Sequence, residues 1–167
     1  TTPVMVTTSS PVLDPNKRTW TGMHAIPDVY AVGDCAQHRN PLSGRRPIEA
    51  VWYTGRMMGE ALAQTICGNP QQYSPGHWFN SAKFFDIEYQ TYGWVFSEDR
   101  MGSEERHFHW RHPREKVCLT VAYDGENGRF LGLNVFGIRM RHEVVDQWLN
   151  QGLAVDQVVD RLREANF

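Results

Sequence analysis

Cysteine is scarce in this sequence: Cys35, Cys67 and Cys118 are odd in number and widely spaced. No Cys-x-x-Cys pair occurs, which excludes a zinc ribbon, a thioredoxin-type motif and a disulfide scaffold. The thiols read as reduced, and the chain as cytoplasmic. Long apolar runs are missing as well; no stretch approaches the roughly 20 residues that span a membrane. Residues 1–11 carry neither a positive n-region nor an apolar h-region, so no signal peptide is read there. Charge of one sign is also lacking. Lys and Arg number 17 against 19 Asp and Glu, a net charge of −2. That balance gives no electrostatic footprint for nucleic acid.

What is present is ordinary for a globular domain: 167 residues, 41% hydrophobic and 22% charged. A chain of that length buries roughly 70% of its unfolded surface. It opens on Thr rather than Met, with strand-like Val4-Met5-Val6, and is read as a piece of a longer protein.

Pro3, Pro11, Pro15 and Pro27 forbid a long helix over residues 1–30, which read as strand, turns and extended chain. Val29 to Val32 is a short apolar run with the character of a buried strand, ended by Gly33-Asp34. Residues 37–47 form a polar loop. Ile48 to Cys67 is free of proline, carries apolar residues at helical spacing, and is stopped by Gly68-Asn69-Pro70. Gly55 and Gly59 share one face of that helix, where small residues permit close packing. After residue 70 the period changes. Phe84–Phe96, Glu105–His112, Val117–Asp124 and Arg129–Gly137 predict an antiparallel meander of four strands, with 124–128 as a hairpin turn whose Asp-Gly and Asn-Gly supply positive φ. Two helices follow, Arg141–Gln151 closed by Gly152, and Val155–Ala165 with Asp156 at its start.

One segment carries chemistry. A buried strand ending in Gly33-Asp34 places a carboxylate at a sheet edge, and Gly33 lets a ligand approach the backbone. An ionised Asp34 accepts hydrogen bonds from sugar-like hydroxyls. The helix that follows aims its first amides at a partly negative group. This order suits a polyhydroxylated, anionic cofactor, although Gly-Asp by itself is most often a plain turn.

Residues Pro27-Asp28-Val29-Tyr30-Ala31-Val32-Gly33-Asp34-Cys35-Ala36 resemble the second FAD-binding motif of the FAD-dependent pyridine nucleotide oxidoreductases, the glutathione-reductase-like and ferredoxin-reductase-like flavoproteins. The resemblance implies that Asp34, beside Gly33, binds the ribityl chain of FAD. It implies that the next helix, with Thr54-Gly55-Arg56 in place of a Gln-Gly-Arg pattern, points its start at the pyrimidine end of the flavin, so that Val51 and Trp52 lie near the ring. His77-Trp78-Phe79-Asn80-Ser81 is similar to the Trp-Phe-Trp-Ser segment that opens the C-terminal domain of ferredoxin-reductase-like members, which adds Trp78 to the cofactor-binding set. Departures are His24 for the usual Thr, Asn80 for the second aromatic, and Ala82 for the usual acid. No Gly-x-Gly-x-x-Gly occurs, so the ADP half of FAD and the nicotinamide site are not encoded here.

The resulting expectation is an α+β chain. Residues 1–70 are the C-terminal fragment of an FAD-binding domain ending in one long helix. Residues 71–167 are an interface or dimerisation domain, an antiparallel sheet with two C-terminal helices. The resemblance implies a parent oxidoreductase that passes electrons from NAD(P)H through FAD to an acceptor. It also implies a homodimer formed through the C-terminal domain and a protein redox partner, with no membrane or nucleic acid. No catalytic residue is assigned, and the segment alone is expected to be inactive. A stand-alone interaction module is the alternative. His107 and His109 share a strand face that could hold a metal, with His112 pointing the other way; a polar strand face is the preferred reading and no metal is expected. Cys35 and Cys118 read as packed residues, Arg45-Arg46 as a solvated loop, and the aromatics from Trp78 to Tyr92 as core or interface.

Overall fold

The computed structural model describes residues 7–8, 30–38, 45–71 and 73–166. The calls on His24, on Ile26–Val29 of the motif and on most of residues 1–30 lie outside the described residues, as does the Cys35 side chain. The chain divides into two compact units, Thr1–Gly76 and His77–Phe167.

In the first unit, β1 (Thr7–Thr8) pairs in parallel with β2 (Gln37–His38). One 3-10 turn, Gly33–Cys35, precedes β2, and α1 runs from Trp52 to Ile66. Of the expected strand at Val29–Val32, the described residues show a bridge position at Tyr30, with Ala31 and Val32 in irregular, half-buried chain. The helix starts four residues later than expected. The Val51 N–H donates to the Glu49 carbonyl at 2.9 Å, closing a tight turn, and Val51 itself is extended.

The second unit is an α+β fold. Its five antiparallel strands are β3 (Phe79–Phe84), β4 (Ile87–Gly93), β5 (Glu105–Arg111), β6 (Cys118–Asp124) and β7 (Phe130–Phe136). Their order is β3-β4-β7-β6-β5. The predicted four-strand meander is therefore corrected twice. A fifth strand, β3, forms an edge, and β7 inserts between β4 and β6. Side-chain alternation sorts the two faces. Val121, Leu133 and Tyr92 form one cross-strand row and Leu119 and Val135 the next, all buried. The reverse face is polar: the Thr91 hydroxyl donates to Asn134 Oδ1 at 2.7 Å, and Thr120 lies in the same row.

Helices α2 (His142–Gln151) and α3 (Val155–Ala165) complete the core. Val145 and Trp148, three apart, and Val158 and Ala165, seven apart, put the apolar stripe of each helix inward. Gly152 stops α2 in the left-handed conformation expected of a glycine after a helix. The Gln157 side chain accepts from the Ala154 N–H at the start of α3, and Asp156 sits in its first turn. In the β6–β7 hairpin the Asp124 carboxylate accepts from the Glu126 and Asn127 amides, and these hold its pKa below the ordinary carboxylate value. Gly128 has positive φ; Gly125 does not, contrary to expectation.

The aromatics divide. Tyr92 is core, and its hydroxyl donates to the Met140 carbonyl at 2.9 Å. Phe84 is 59% exposed and Phe85, at the β3–β4 turn, 99% exposed, so neither is core. Cys118 begins β6 rather than sitting mid-strand, and it is half-buried.

Candidate functional site

The Gly33–Cys35 turn and the start of α1 come together in the first unit. A Cβ built on Gly55 would stand 3.5 Å from the Gly33 Cα, so the helix's second turn passes against the turn backbone. Gly33 sits at φ +83, where a glycine is needed, and its N–H donates to the Met58 Sδ at 3.3 Å. Gly55 thus lies where an added Cβ would make only ordinary van der Waals contact with the turn, while Gly59 has open space beside it.

Around this contact the polar groups point outward. The Asp34 side chain is exposed, and no described residue hydrogen-bonds or pairs with it. No side chain caps α1, whose N-cap is the extended Val51. The amides of its first turn therefore keep the partial positive charge of a helix start. Trp52, the first helical residue, is 69% exposed; it packs edge-on against Tyr53, and the Arg56 guanidinium lies 5.8 Å from its ring centre. Gly33, Asp34, Val51 and Trp52 thus gather on one unit. An exposed carboxylate for hydroxyls, a helix start for a polar ring edge, and an exposed indole suit a sugar-linked heteroaromatic group. Trp78 belongs to the second unit, where its ring stacks on Trp94 at 5.8 Å and Trp94 stacks on Phe96.

The sequence reading missed what lies behind the site. Arg45 is not a solvated loop residue. Its guanidinium and the Glu49 carboxylate, with side chains 5% and 3% exposed, form an ion pair at 2.8 Å. Beside them His38 stacks on Tyr73 at 5.6 Å. Burial lowers the His38 pKa, against the opposing charge of Glu49. Burial, reinforced by Glu49, pushes the Tyr73 hydroxyl up to about 12. The only sequence signal was the opposite charge four residues apart, in a stretch that otherwise reads as polar loop.

The histidine face is structural among the described residues. His107 pairs with Glu105 at 2.7 Å, and His109 bonds the Thr120 hydroxyl at 2.9 Å. His107 and His109 share the polar face, and His112 lies with Trp110 on the other. No group of three His, Cys, Asp or Glu among the described residues could hold a metal ion.

A second feature lies on the core face of the second unit. Phe108 and Trp110 continue the buried rows onto edge strand β5, yet are 37% and 41% exposed. They line an open groove of about 480 Å³ with Leu119, Ile138, Val159 and Leu162. Its α3 wall carries Asp160 and Arg163, and neither has an ion-pair partner among the described residues.

No protein-family model matches the chain. It is 39% identical over 116 residues to a ferredoxin–NAD(P)+ reductase of a Sphingomonas species, a match covering 68% of this chain and 26% of that protein. It is 39% identical over 77 residues to the ferredoxin reductase subunit of a 5,5'-dehydrodivanillate O-demethylase from a Sphingobium species, covering 45% of this chain and 18% of that one. The chain thus spans about a quarter or less of the length of these curated relatives. Its fold is similar to that of an FAD-dependent pyridine nucleotide-disulphide oxidoreductase from Desulfovibrio vulgaris, with a TM-score of 0.62 and 18% identity over 80% of this chain and 34% of that one. By sequence the chain is a homologue of part of the ferredoxin reductases, and its fold is similar to that of part of an FAD-dependent pyridine nucleotide-disulfide oxidoreductase.

Proposed function

We propose that the protein passes electrons from NAD(P)H through FAD to an acceptor, and that this chain supplies one flank of the flavin site. The observation that carries this reading is the juxtaposition in the first unit. An exposed Asp34 carboxylate stands beside an uncapped helix start, packed so closely that Gly55 meets Gly33. Asp34 would accept hydrogen bonds from the ribityl hydroxyls, and the start of α1 at Trp52, with Val51 beside it, would face the polar edge of the ring. Trp78 enters through the family resemblance. Bound FAD supplies the redox chemistry, accepting hydride and releasing electrons to the acceptor. The protein's part is to hold and orient the ring and to exclude water. A small redox protein is the proposed acceptor, since both curated relatives are ferredoxin reductases. The free thiols of Cys67 and Cys118 accord with a reducing, cytoplasmic setting.

The test is flavin binding, read by quenching of FAD fluorescence in the full-length gene product that contains this chain. Asp34→Ala is expected to weaken binding about tenfold or more, the loss of hydrogen bonds to a charged group. Equal binding by the variant would overturn the role of Asp34, and a wild type without flavin would overturn the whole reading.

The second reading, an interaction module, is favoured by the Phe108–Trp110 groove. Residues 77–167 then serve as the dimerisation domain, and the occupant is a second copy of the chain. The unpaired Asp160 and Arg163, three apart on one helix wall, meet each other's counterparts across a two-fold axis.

A further inference from the structure

We propose that the Arg45–Glu49 ion pair is a positioning latch for the flavin-facing turn, touching no ligand itself; this rests on the flavin reading above. The pair ties three segments together. Arg45 Nη1 donates to both Glu49 carboxylate oxygens at 2.8 Å, while Nη2 donates to the Pro75 carbonyl at 3.3 Å and the Gly76 carbonyl at 2.9 Å. The Glu49 main chain carries the constraint forward. Its carbonyl accepts from the Val51 N–H at 2.9 Å and from the Thr54 hydroxyl at 3.2 Å, and Thr54 shares that proton with the Val51 carbonyl at 2.8 Å. Those bonds set where α1 begins. The start of α1 in turn sets the Gly55–Gly33 approach and the Met58 acceptor for the Gly33 N–H. An unbroken chain of bonds therefore runs from a buried ion pair to the turn that bears Asp34.

The burial argues against a ligand-binding role, since both side chains are almost wholly covered. It argues equally against a role in stability alone. Removing two charges from water offsets most of what their attraction gains, and buried pairs are often replaceable by apolar residues without loss. What a guanidinium bonded to one carboxylate and two carbonyls supplies is a single geometry, which a lysine cannot reproduce.

The experiment separates local order from global stability in the 167-residue chain. The double variant Arg45→Met/Glu49→Leu is expected to unfold at a urea midpoint equal to or above wild type. Its Gly33 and Gly55 amides are expected to exchange with solvent about tenfold faster or more, because the segment opens locally. Unchanged exchange at both amides would overturn the latch. If the double variant fails to fold, Glu49→Gln takes its place and is read by amide exchange against its own global stability, since removing the carboxylate charge beside buried Arg45 lowers the urea midpoint. Gly33 and Gly55 amides that exchange faster than global unfolding allows support the latch, and exchange only through global unfolding overturns it. FAD binding by the full-length protein is measured in parallel. Faster exchange with no flavin bound by wild type leaves the latch standing and removes the flavin reading. Faster exchange with weakened FAD binding supports both.

Discussion

Gly55 turns its bare side to Gly33: a Cβ built on the first would lie 3.5 Å from the Cα of the second. The two glycines are close, yet they serve different needs. At Gly55 the distance is ordinary van der Waals contact, and the residue lies inside a helix, where alanine is favoured by up to about 1 kcal/mol. Gly33 has open space around it but sits at φ +83, a conformation that costs an L-residue about 1–2 kcal/mol. Gly55→Ala is therefore expected to leave urea stability unchanged or slightly raised, and Gly33→Ala to lower it by about 1–2 kcal/mol. Equal losses at both positions would show that space, rather than backbone conformation, governs the turn.

The His38–Tyr73 stack predicts a stability profile with a loss at each end. Burial holds the His38 pKa below 6.5, so between that lowered value and 6.5 the unfolded chain binds more protons. Stability is fully present above pH 6.5 and falls as the pH drops through the folded value. Tyr73 has the opposite sign. Its hydroxyl is pushed from 10.0 up to about 12, so stability is fully present below pH 10 and falls as the pH rises toward 12. His38→Gln should flatten the acid limb and Tyr73→Phe the alkaline one. The Tyr73 hydroxyl is buried without a hydrogen-bond partner among the described residues. Tyr73→Phe should therefore also raise stability at neutral pH, by about 1 kcal/mol. Denaturant midpoints across the pH range measure both limbs.

Trp148 anchors the second unit. It is 1% exposed, and the Arg161 guanidinium lies 5.8 Å from the indole centre. Trp148→Ala should cost about 3–5 kcal/mol, from lost burial and the cavity left behind. Trp148→Phe should cost much less, because the indole N–H has no hydrogen-bond partner among the described residues. A phenylalanine variant as unstable as the alanine one would show that the indole's shape, rather than its apolar bulk, holds the core.

The parts of this structure that depend on neighbours in sequence could be read from it. Alternation marked β4 through β7, and the apolar spacing with its glycine stop marked α1 and α2. What depends on distant chain could not. Strand β3 reads Asn80-Ser81-Ala82-Lys83 at its centre, an edge strand whose pairing with β4 supplies the order that its composition does not signal. The insertion of β7 between β4 and β6 follows from Gly132 and Leu133 meeting Gly93 and Tyr92 across the sheet, with nothing local to announce it. At the candidate site, the turn at Gly33-Asp34 was legible because the motif is contiguous. Arg45 and Glu49 were not, because their burial depends on chain some 30 residues further on, where Pro75 and Gly76 accept from the guanidinium.

The Phe108–Trp110 groove yields a prediction about association that does not involve the flavin. Helices α2 and α3 cover the core face of the sheet but leave Phe108 and Trp110, on edge strand β5, open to solvent. If a second copy of the chain covers them, the large aromatic carries much of the binding. Trp110→Ala should then raise the dimer dissociation constant about tenfold or more. The helix wall gives a sharper check. In an isologous pair each Asp160 faces a partner Arg163, so Asp160→Arg sets like charges against each other and weakens the dimer. The swap Asp160→Arg/Arg163→Asp restores opposite charges and should recover association, with the pair's net charge unchanged. Asp34→Ala lies in the other unit and should leave association as it was. Sedimentation velocity over a range of concentrations reads all four variants. A wild type that stays monomeric at the highest concentration, or a swap that fails to recover, would remove the second copy as the occupant of this groove.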